Sequence, residues 1–170
     1  GATYLAQACN ERDIPLLHIS TDYIFDGSKN GAYNETDSAN PQGVYGKSKL
    51  AGDRAIESIL KKHLILRVSW VFSAIGNNFV KTMLRLGKER DLLKVVSDQH
   101  GGPTWAGAIA NTLLSIVKRW ENGEKIPWGT YHYSGQPATT WQEFAETIFE
   151  QAEELGIIAN QPKIEPITTA

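Results

Sequence analysis

Short apolar runs alternate with helical patterns along this chain. Residues 1–11 have the pattern of a helix, and the run at 15–19 has the composition of a strand buried on both faces. Residues 43–61 return to a helical pattern, whereas 64–70 and 93–96 are again typical of strands. This order predicts an α/β fold in which the three strands lie in one mostly parallel sheet with the two helices on its faces.

The rest of the chain continues the alternation. Helices are predicted at 77–90 and 105–120, and a strand is predicted at 129–133. A last helix is predicted to begin after Thr140, because Glu143 three residues later completes a capping box.

Candidate chemistry lies where the first strand ends and the next helix begins. Thr21 follows the carboxyl end of the strand, which is where parallel α/β folds bind their ligands, and a turn-rich loop at 26–41 precedes the helix. Tyr45 and Lys49 are four residues apart and therefore share one helix face. A lysine ammonium stabilises a phenolate, so Tyr45 could pass a proton while Thr21 bonds to a substrate oxygen.

The Tyr-x-x-x-Lys spacing is weak evidence on its own. Six tyrosines and 11 lysines in 170 residues give roughly 0.4 such pairs by chance, and a solvated helix face explains the spacing equally well. The position of the pair, at the start of a helix and downstream of a strand that ends in Ser20-Thr21, favours function over chance.

The composition of the chain bears on which kinds of partner the protein can bind. The 17 basic and 19 acidic residues give a net charge of −2, so there is no positive field to hold nucleic acid. The apolar runs are far shorter than the roughly 18 residues of a membrane span. The single cysteine, Cys9, excludes an intrachain disulfide and fits the cytoplasm, and the histidine spacing suits no shared metal. We therefore expect a cytoplasmic protein with no nucleic-acid partner, no membrane partner and no metal.

Four blocks in order along the chain carry a family resemblance. They are His18–Gly27 (HISTDYIFDG), Tyr45–Gly52 (YGKSKLAG), Arg67–Phe72 (RVSWVF) and Asp98–Thr104 (DQHGGPT). Together they resemble the dTDP-4-dehydrorhamnose reductases, which are extended short-chain dehydrogenases/reductases. The resemblance runs from Gly1 to about Phe149 and implies a Rossmann-like, doubly wound, mostly parallel sheet.

The resemblance implies an activity and three catalytic residues. Members of the family reduce the 4-keto group of dTDP-4-dehydro-L-rhamnose with NADPH or NADH, which completes dTDP-L-rhamnose for cell-surface polysaccharides. Tyr45 is then the proton donor to the C4 oxygen. Lys49 tunes Tyr45, and Tyr45 and Lys49 together bind the cofactor, with Lys49 on its nicotinamide ribose, while Thr21 assists the tyrosine.

The resemblance also implies contacts with a dTDP-sugar substrate. Thr21, Asp22 and Tyr23 match positions beside the sugar, and Trp70 matches a tryptophan that packs against the deoxysugar ring, as an aromatic face can. A homodimer is possible, and the sequence does not decide the oligomeric state.

Part of the family pattern is missing from this sequence. No G-x-G-x-x-G occurs among its 15 glycines, so we expect the N-terminal cofactor-binding half to lie outside the chain and the chain alone to be inactive. The C-terminal segment after about residue 164 also stops early, which makes the fold incomplete at both ends. Residues 1–170 are then the C-terminal part of an NAD(P)-binding domain, with a smaller substrate-binding region interleaved mainly after about residue 70.

Two other functions remain open from the sequence. One is a non-catalytic relative, such as the regulatory β subunit of methionine adenosyltransferase, which shares much of the Asp-Tyr-Ile-Phe-Asp-Gly block. The other is a nucleotide-sugar epimerase or dehydratase, which would share Tyr45 and Lys49 and for which Asp22 would supply an added acid. The Ser-Trp-Val block at Ser69–Val71 fits the reductases better.

Overall fold

The computed structural model describes residues 1–169. Its helices are α1 (Ala2–Glu11), α2 (Val44–Ile59), α3 (Phe79–Glu89), α4 (Ala106–Glu121) and α5 (Trp141–Glu154), with a short 3₁₀ helix at Asp22–Ile24. Its strands are β1 (Leu16–Thr21), β2 (His63–Val68), β3 (Val71–Phe72), β4 (Leu92–Val96), β5 (His100–Gly101), β6 (Thr104–Trp105), β7 (Gly129–Tyr133), β8 (Thr139–Thr140) and β9 (Lys163–Ile167).

The described chain forms two compact units. The first comprises Gly1–Ser69 and Ile109–Tyr133, and the second comprises Trp70–Ala108 and the segment from Ser134 onward. Each unit has its own sheets and its own hydrophobic core.

The first unit is built on a parallel three-stranded sheet in the order β1-β2-β7. Ile65 of β2 packs on one face with Ala6 of α1 and Ile56 of α2. Leu64 and Leu66 point to the other face and pack with Ile109 of α4. Burial of one such aliphatic side chain contributes about 1.5–3 kcal/mol, so the apolar strand β2 fixes a helix–sheet–helix sandwich.

The second unit has three short sheets and a core of its own. β4 pairs with β9 in parallel, β3 pairs with β6 in parallel, and β5 pairs with β8 antiparallel. Helices α3 and α5 pack together, with Met83, Ile148 and Phe149 among the buried residues. Thr140 caps α5 through the predicted capping box with Glu143.

The strand predicted at 93–96 was assigned to the wrong sheet. Strand β4 pairs with β9 in the second unit, and the third strand of the main sheet is β7. Its burial explains the difference, because Leu93 and Val95 are buried whereas Leu92 and Lys94 are exposed. A strand with one solvated face does not belong between two helical layers.

Within residues 1–169, we find no helix long and apolar enough to cross a bilayer.

Candidate active site

Thr21 ends β1 and caps the 3₁₀ helix that follows. Its side chain is buried, and its hydroxyl accepts a hydrogen bond from the Tyr23 N–H at 3.2 Å, which caps the 3₁₀ helix. The same hydroxyl donates to Asp22 Oδ1 at 3.2 Å. Thr21 must therefore turn its only hydroxyl proton away from Asp22 before it can donate to a ligand.

The two residues after Thr21 have shifted acidities. Burial raises the pKa of Asp22 above its ordinary value, although hydrogen bonds from Thr21 and from backbone N–H groups oppose this. Burial, followed by the negative charges of Asp22 and Tyr45, raises the pKa of Tyr23. Tyr23 therefore keeps its phenolic proton at neutral pH, and Asp22 takes up a proton more readily than an exposed aspartate does.

Helix α2 comes very close to the 3₁₀ helix because its third residue is glycine. A β-carbon at Gly46 would overlap the backbone carbonyl oxygen of Tyr23, so only glycine permits this approach. The approach brings the Tyr45 ring edge-on to the Tyr23 ring, with centroids 5.9 Å apart and an interplanar angle of 79°. Tyr45 is 59% exposed, so much of the residue is accessible to solvent.

Lys49 lies one turn after Tyr45, as predicted. Its Nζ donates a hydrogen bond to the Ile19 carbonyl oxygen at 2.7 Å, near the carboxyl end of β1. The ammonium group is therefore held near the carboxyl end of β1, where Thr21 also lies. The prediction that the Tyr45 hydroxyl reaches both the Thr21 hydroxyl and the Lys49 ammonium stays a prediction.

The loop at 26–41 is stabilised by hydrogen bonds between its own residues. The Asp26 carboxylate accepts hydrogen bonds from Ser28, Tyr33 and Asn40, which lower its pKa. Glu35 accepts a hydrogen bond from the His132 backbone N–H of β7 at 2.9 Å. The loop therefore has a fixed route from β1 to the start of α2.

Trp70 belongs to the second unit and is held in an unusual conformation. Its φ of +45° lies in the left-handed region, and its carbonyl oxygen accepts a hydrogen bond from the Thr104 N–H at 3.1 Å. Its indole stacks on Trp141 with ring centroids 3.6 Å apart. A β-carbon at Gly101 would overlap the indole, so glycine is required there too. A packed, strained tryptophan is typical of a functional position.

Asp98 and Gln99, which begin the fourth block of the family resemblance, form their side-chain contacts within the second unit. The Asp98 carboxylate accepts hydrogen bonds from the Thr169 backbone and hydroxyl, and these lower its pKa. The Gln99 side chain accepts a hydrogen bond from the Trp141 indole at 3.2 Å.

Arg67 lies in an apolar run of the sequence, which predicts a buried structural ion pair without identifying the partner. The structure buries Arg67, with Nε 3.5 Å from Asp53 Oδ2. Asp53 was not singled out, because an aspartate in a helix is ordinarily solvated. Its place four residues after Lys49, on the face of Tyr45, was the available signal. In the described part of the chain, no group of three or more His, Cys, Asp or Glu residues could hold a metal ion.

Solved structures with a similar fold define the class of protein. A dTDP-4-dehydrorhamnose reductase from Bacillus anthracis in complex with NADP superposes with a TM-score of 0.87 and 36% identity, over 99% of this chain and 56% of that one. A UDP-N-acetylglucosamine 4-epimerase from Bacillus cereus, 21% identical, has a TM-score of 0.76 over 99% of this chain and 59% of that one, which shows the fold alone. The fold is the Rossmann-like α/β fold of the extended short-chain dehydrogenases/reductases, present here as a partial domain.

The family follows from the sequence comparisons. The family model described as the RmlD substrate binding domain matches residues 1–170. The dTDP-4-dehydrorhamnose reductase of Aggregatibacter actinomycetemcomitans is 49% identical over the whole chain, and that of Salmonella typhimurium is 40% identical over 98% of it. The chain belongs to the RmlD substrate-binding domain family. It spans 58% and 55% of the lengths of these two relatives.

Proposed function

We propose that this chain provides the proton-donating helix and the sugar contacts of an NADPH-dependent reductase that converts dTDP-4-dehydro-L-rhamnose to dTDP-L-rhamnose. The observation that carries the proposal is the exposed Tyr45 at the start of α2, one turn before a lysine that is anchored near the end of β1. The relative that is 49% identical carries the same activity in its name. The epimerases share only the fold at 21% identity or less, so they favour no second function.

The residues present fit a nicotinamide cofactor. An ammonium has three N–H donors, and Lys49 uses one on the Ile19 carbonyl, which leaves donors for ribose hydroxyls. The Bacillus anthracis reductase holds NADP, which supports NADPH as the cofactor here. Lys49 and Tyr45 are the residues of this chain that would hold it, and the bound cofactor would supply a hydride to C4 of the sugar.

The residues of this chain then transfer one proton to the sugar. Tyr45 donates its hydroxyl proton to the C4 oxygen as negative charge develops there, and the Lys49 ammonium stabilises the phenolate that remains. Thr21 turns its hydroxyl from Asp22 toward the same oxygen. Asp22 and Tyr23 contact the sugar, and Trp70 packs against its ring.

The reaction belongs in the cytoplasm, because a single cysteine fits a reducing compartment. A dTDP-sugar is the partner this proposal requires.

The proposal is tested on the whole protein with dTDP-4-dehydro-L-rhamnose and NADPH, by following NADPH absorbance. Tyr45→Phe removes only the acidic hydroxyl and should lower kcat by about 10²- to 10⁴-fold. Tyr4→Phe is the matched control, because Tyr4 is a helical tyrosine that is 76% exposed, and it should leave kcat unchanged.

Three outcomes would contradict the proposal in different ways. Wild-type turnover by Tyr45→Phe would remove Tyr45 as the proton donor. A wild-type protein that binds NADPH but never oxidises it would favour the non-catalytic relative. Interconversion of a UDP-sugar without net consumption of cofactor would favour an epimerase.

A further inference from the structure

A fully buried carboxylate connects α2 to the main sheet. Asp53 has no exposed surface, which is rare for an aspartate unless it is paired. Its Oδ2 accepts a hydrogen bond from the Ser20 hydroxyl of β1 at 2.7 Å and lies 3.5 Å from Nε of the buried Arg67 on β2. One side chain therefore joins the helix to two adjacent strands.

His18 approaches the same carboxylate from β1, with Nε2 3.8 Å from Asp53 Oδ1. Burial and then the positive charge of Lys49 lower the pKa of His18, against the opposite effect of Asp53. His18 is therefore neutral at neutral pH, and Arg67 supplies the charge that balances the carboxylate.

The spacing along α2 places Asp53 on the stripe of the proposed catalytic residues. Tyr45, Lys49 and Asp53 follow each other at intervals of four residues, so they lie on one side of the helix. Lys49 bonds to the Ile19 carbonyl oxygen, and Asp53 bonds to the hydroxyl of the next residue, Ser20. Successive turns of α2 are thus bonded to successive residues of β1, immediately before Thr21.

The two bonds differ in what they can do during turnover. Under the proposed function, Lys49 uses its two other N–H donors on a ribose, so its position depends on the ligand as well as on its bond to Ile19. The bond from Ser20 to Asp53 is buried and faces no ligand, so it persists. Together with the approach of His18 to the same carboxylate, it fixes this part of α2 against β1 independently of the ligand.

We propose that Ser20 and Asp53 form a positioning pair, which holds the turn of α2 that carries Tyr45 and Lys49 at a fixed distance from Thr21 when Lys49 binds the cofactor. This inference rests on the proposed function. A buried ion pair is weak evidence for stability by itself, so a positioning role has to be separated from ordinary helix docking.

The chain offers a matched control for that separation. The Thr130 hydroxyl of β7 donates to Glu57 Oε1 of α2 at 2.8 Å. This is also one hydroxyl-to-carboxylate bond between the sheet and α2, but Glu57 is three turns from Tyr45. Ser20→Ala and Thr130→Val each remove one such bond and leave the carboxylate and the catalytic residues in place.

The experiment compares the two variants in the whole protein with wild type. Melting temperatures are measured first, and kinetics are recorded well below them. We expect Ser20→Ala to lower kcat by about 10- to 100-fold with a smaller change in KM for NADPH, because misplacement by a fraction of an ångström acts on the chemical step. Thr130→Val should keep the wild-type kcat and KM.

Amide hydrogen exchange provides a readout that does not depend on turnover. With NADPH present, the amides of residues 47–50 should exchange about tenfold faster or more in Ser20→Ala than in wild type, and at the wild-type rate in Thr130→Val. If the wild-type protein has no reductase activity, the proposed function fails, and the exchange arm still decides whether the pair holds this turn. Wild-type kcat and exchange in Ser20→Ala would overturn the inference, and so would equal losses in the two variants.

Discussion

At the scale of single residues, His18 sits between charges of opposite sign. Burial and then the charge of Lys49 disfavour its protonation, and Asp53 favours it, with a net lowering of the pKa below 6.5. Its protonation is therefore linked to folding, because the unfolded chain lacks both the burial and the neighbours.

The sign of this linkage gives a testable pH dependence. Between the lowered folded pKa and the unfolded value of 6.5, the unfolded state binds more protons than the folded state. The contribution of His18 to the free energy of unfolding is therefore complete above pH 6.5 and falls as the pH drops through that window. His18→Gln should flatten this part of the stability profile in urea unfolding of the whole protein at a series of pH values.

A histidine away from this environment serves as the control for that measurement. His100 is exposed in the second unit, so His100→Gln should leave the decline below pH 6.5 as it is in wild type. An equal decline in His18→Gln and wild type would show that His18 does not carry the linkage.

Residue types and spacing predicted the placement of Tyr45 and Lys49 on one helix, but they did not predict both members of the buried ion pair. An interval of four predicts that Tyr45 and Lys49 share a helix face, and the structure confirms that both lie on α2. Arg67 within an apolar strand predicted a buried ion pair, which the structure confirms. Asp53 was not chosen as its partner, because an aspartate in a helix is ordinarily solvated. Its interval of four residues from Lys49 was the one signal that it lies on the same side of α2.

At the scale of elements, the close approach of α2 to the 3₁₀ helix depends on Gly46. Gly46→Ala would place a β-carbon on the Tyr23 carbonyl oxygen, which is backbone and cannot move without shifting the 3₁₀ helix or α2. The start of α2 would move away, and Tyr45 with it. We expect Gly46→Ala in the whole protein to lose at least about 10²-fold in kcat.

Gly43→Ala controls for the loss of a glycine next to the same helix. Gly43 has a φ of −95°, which any residue adopts, and nothing lies within 4 Å of its added β-carbon. This variant should keep kcat within a few-fold of wild type. Comparable losses in the two variants would mean that glycine flexibility, rather than the close approach, matters.

Existence and type of the main elements followed from the hydrophobic pattern, whereas strand partners did not. The helices at 1–11 and 43–61 and the strands at 15–19 and 64–70 are present with small shifts of their ends. The strand at 93–96 was predicted to lie in the wrong sheet. Alternation of strands and helices gives the order of the elements along the chain, but it does not show which strands pair with each other. The exposed Lys94 within that run was the signal for a strand with one solvated face.

At the scale of the whole molecule, the proposed site lies beside β1, which is an outer strand of the main sheet. Within residues 1–169, β1 pairs with β2 alone, so no strand lies beside its other edge. Ile19 on this strand is 46% exposed, and Leu5 on α1 is 56% exposed. The open edge of β1 and the exposed side chain of Ile19 therefore lie beside the carbonyl group that Lys49 bonds to.

The last prediction concerns what these 170 residues can do alone. Under the proposed function, Tyr45 holds a proton and Lys49 holds a ribose, but no G-x-G-x-x-G pattern for a pyrophosphate occurs in the sequence. Hydride transfer requires the whole cofactor to be held in register with C4, so we expect no NADPH oxidation by the isolated chain with dTDP-4-dehydro-L-rhamnose, under conditions in which the whole protein turns over. Circular dichroism of the isolated chain is the control, because inactivity counts only for a folded chain. Reduction of the sugar by the folded 170-residue chain would show that it binds and orients NADPH without any further segment.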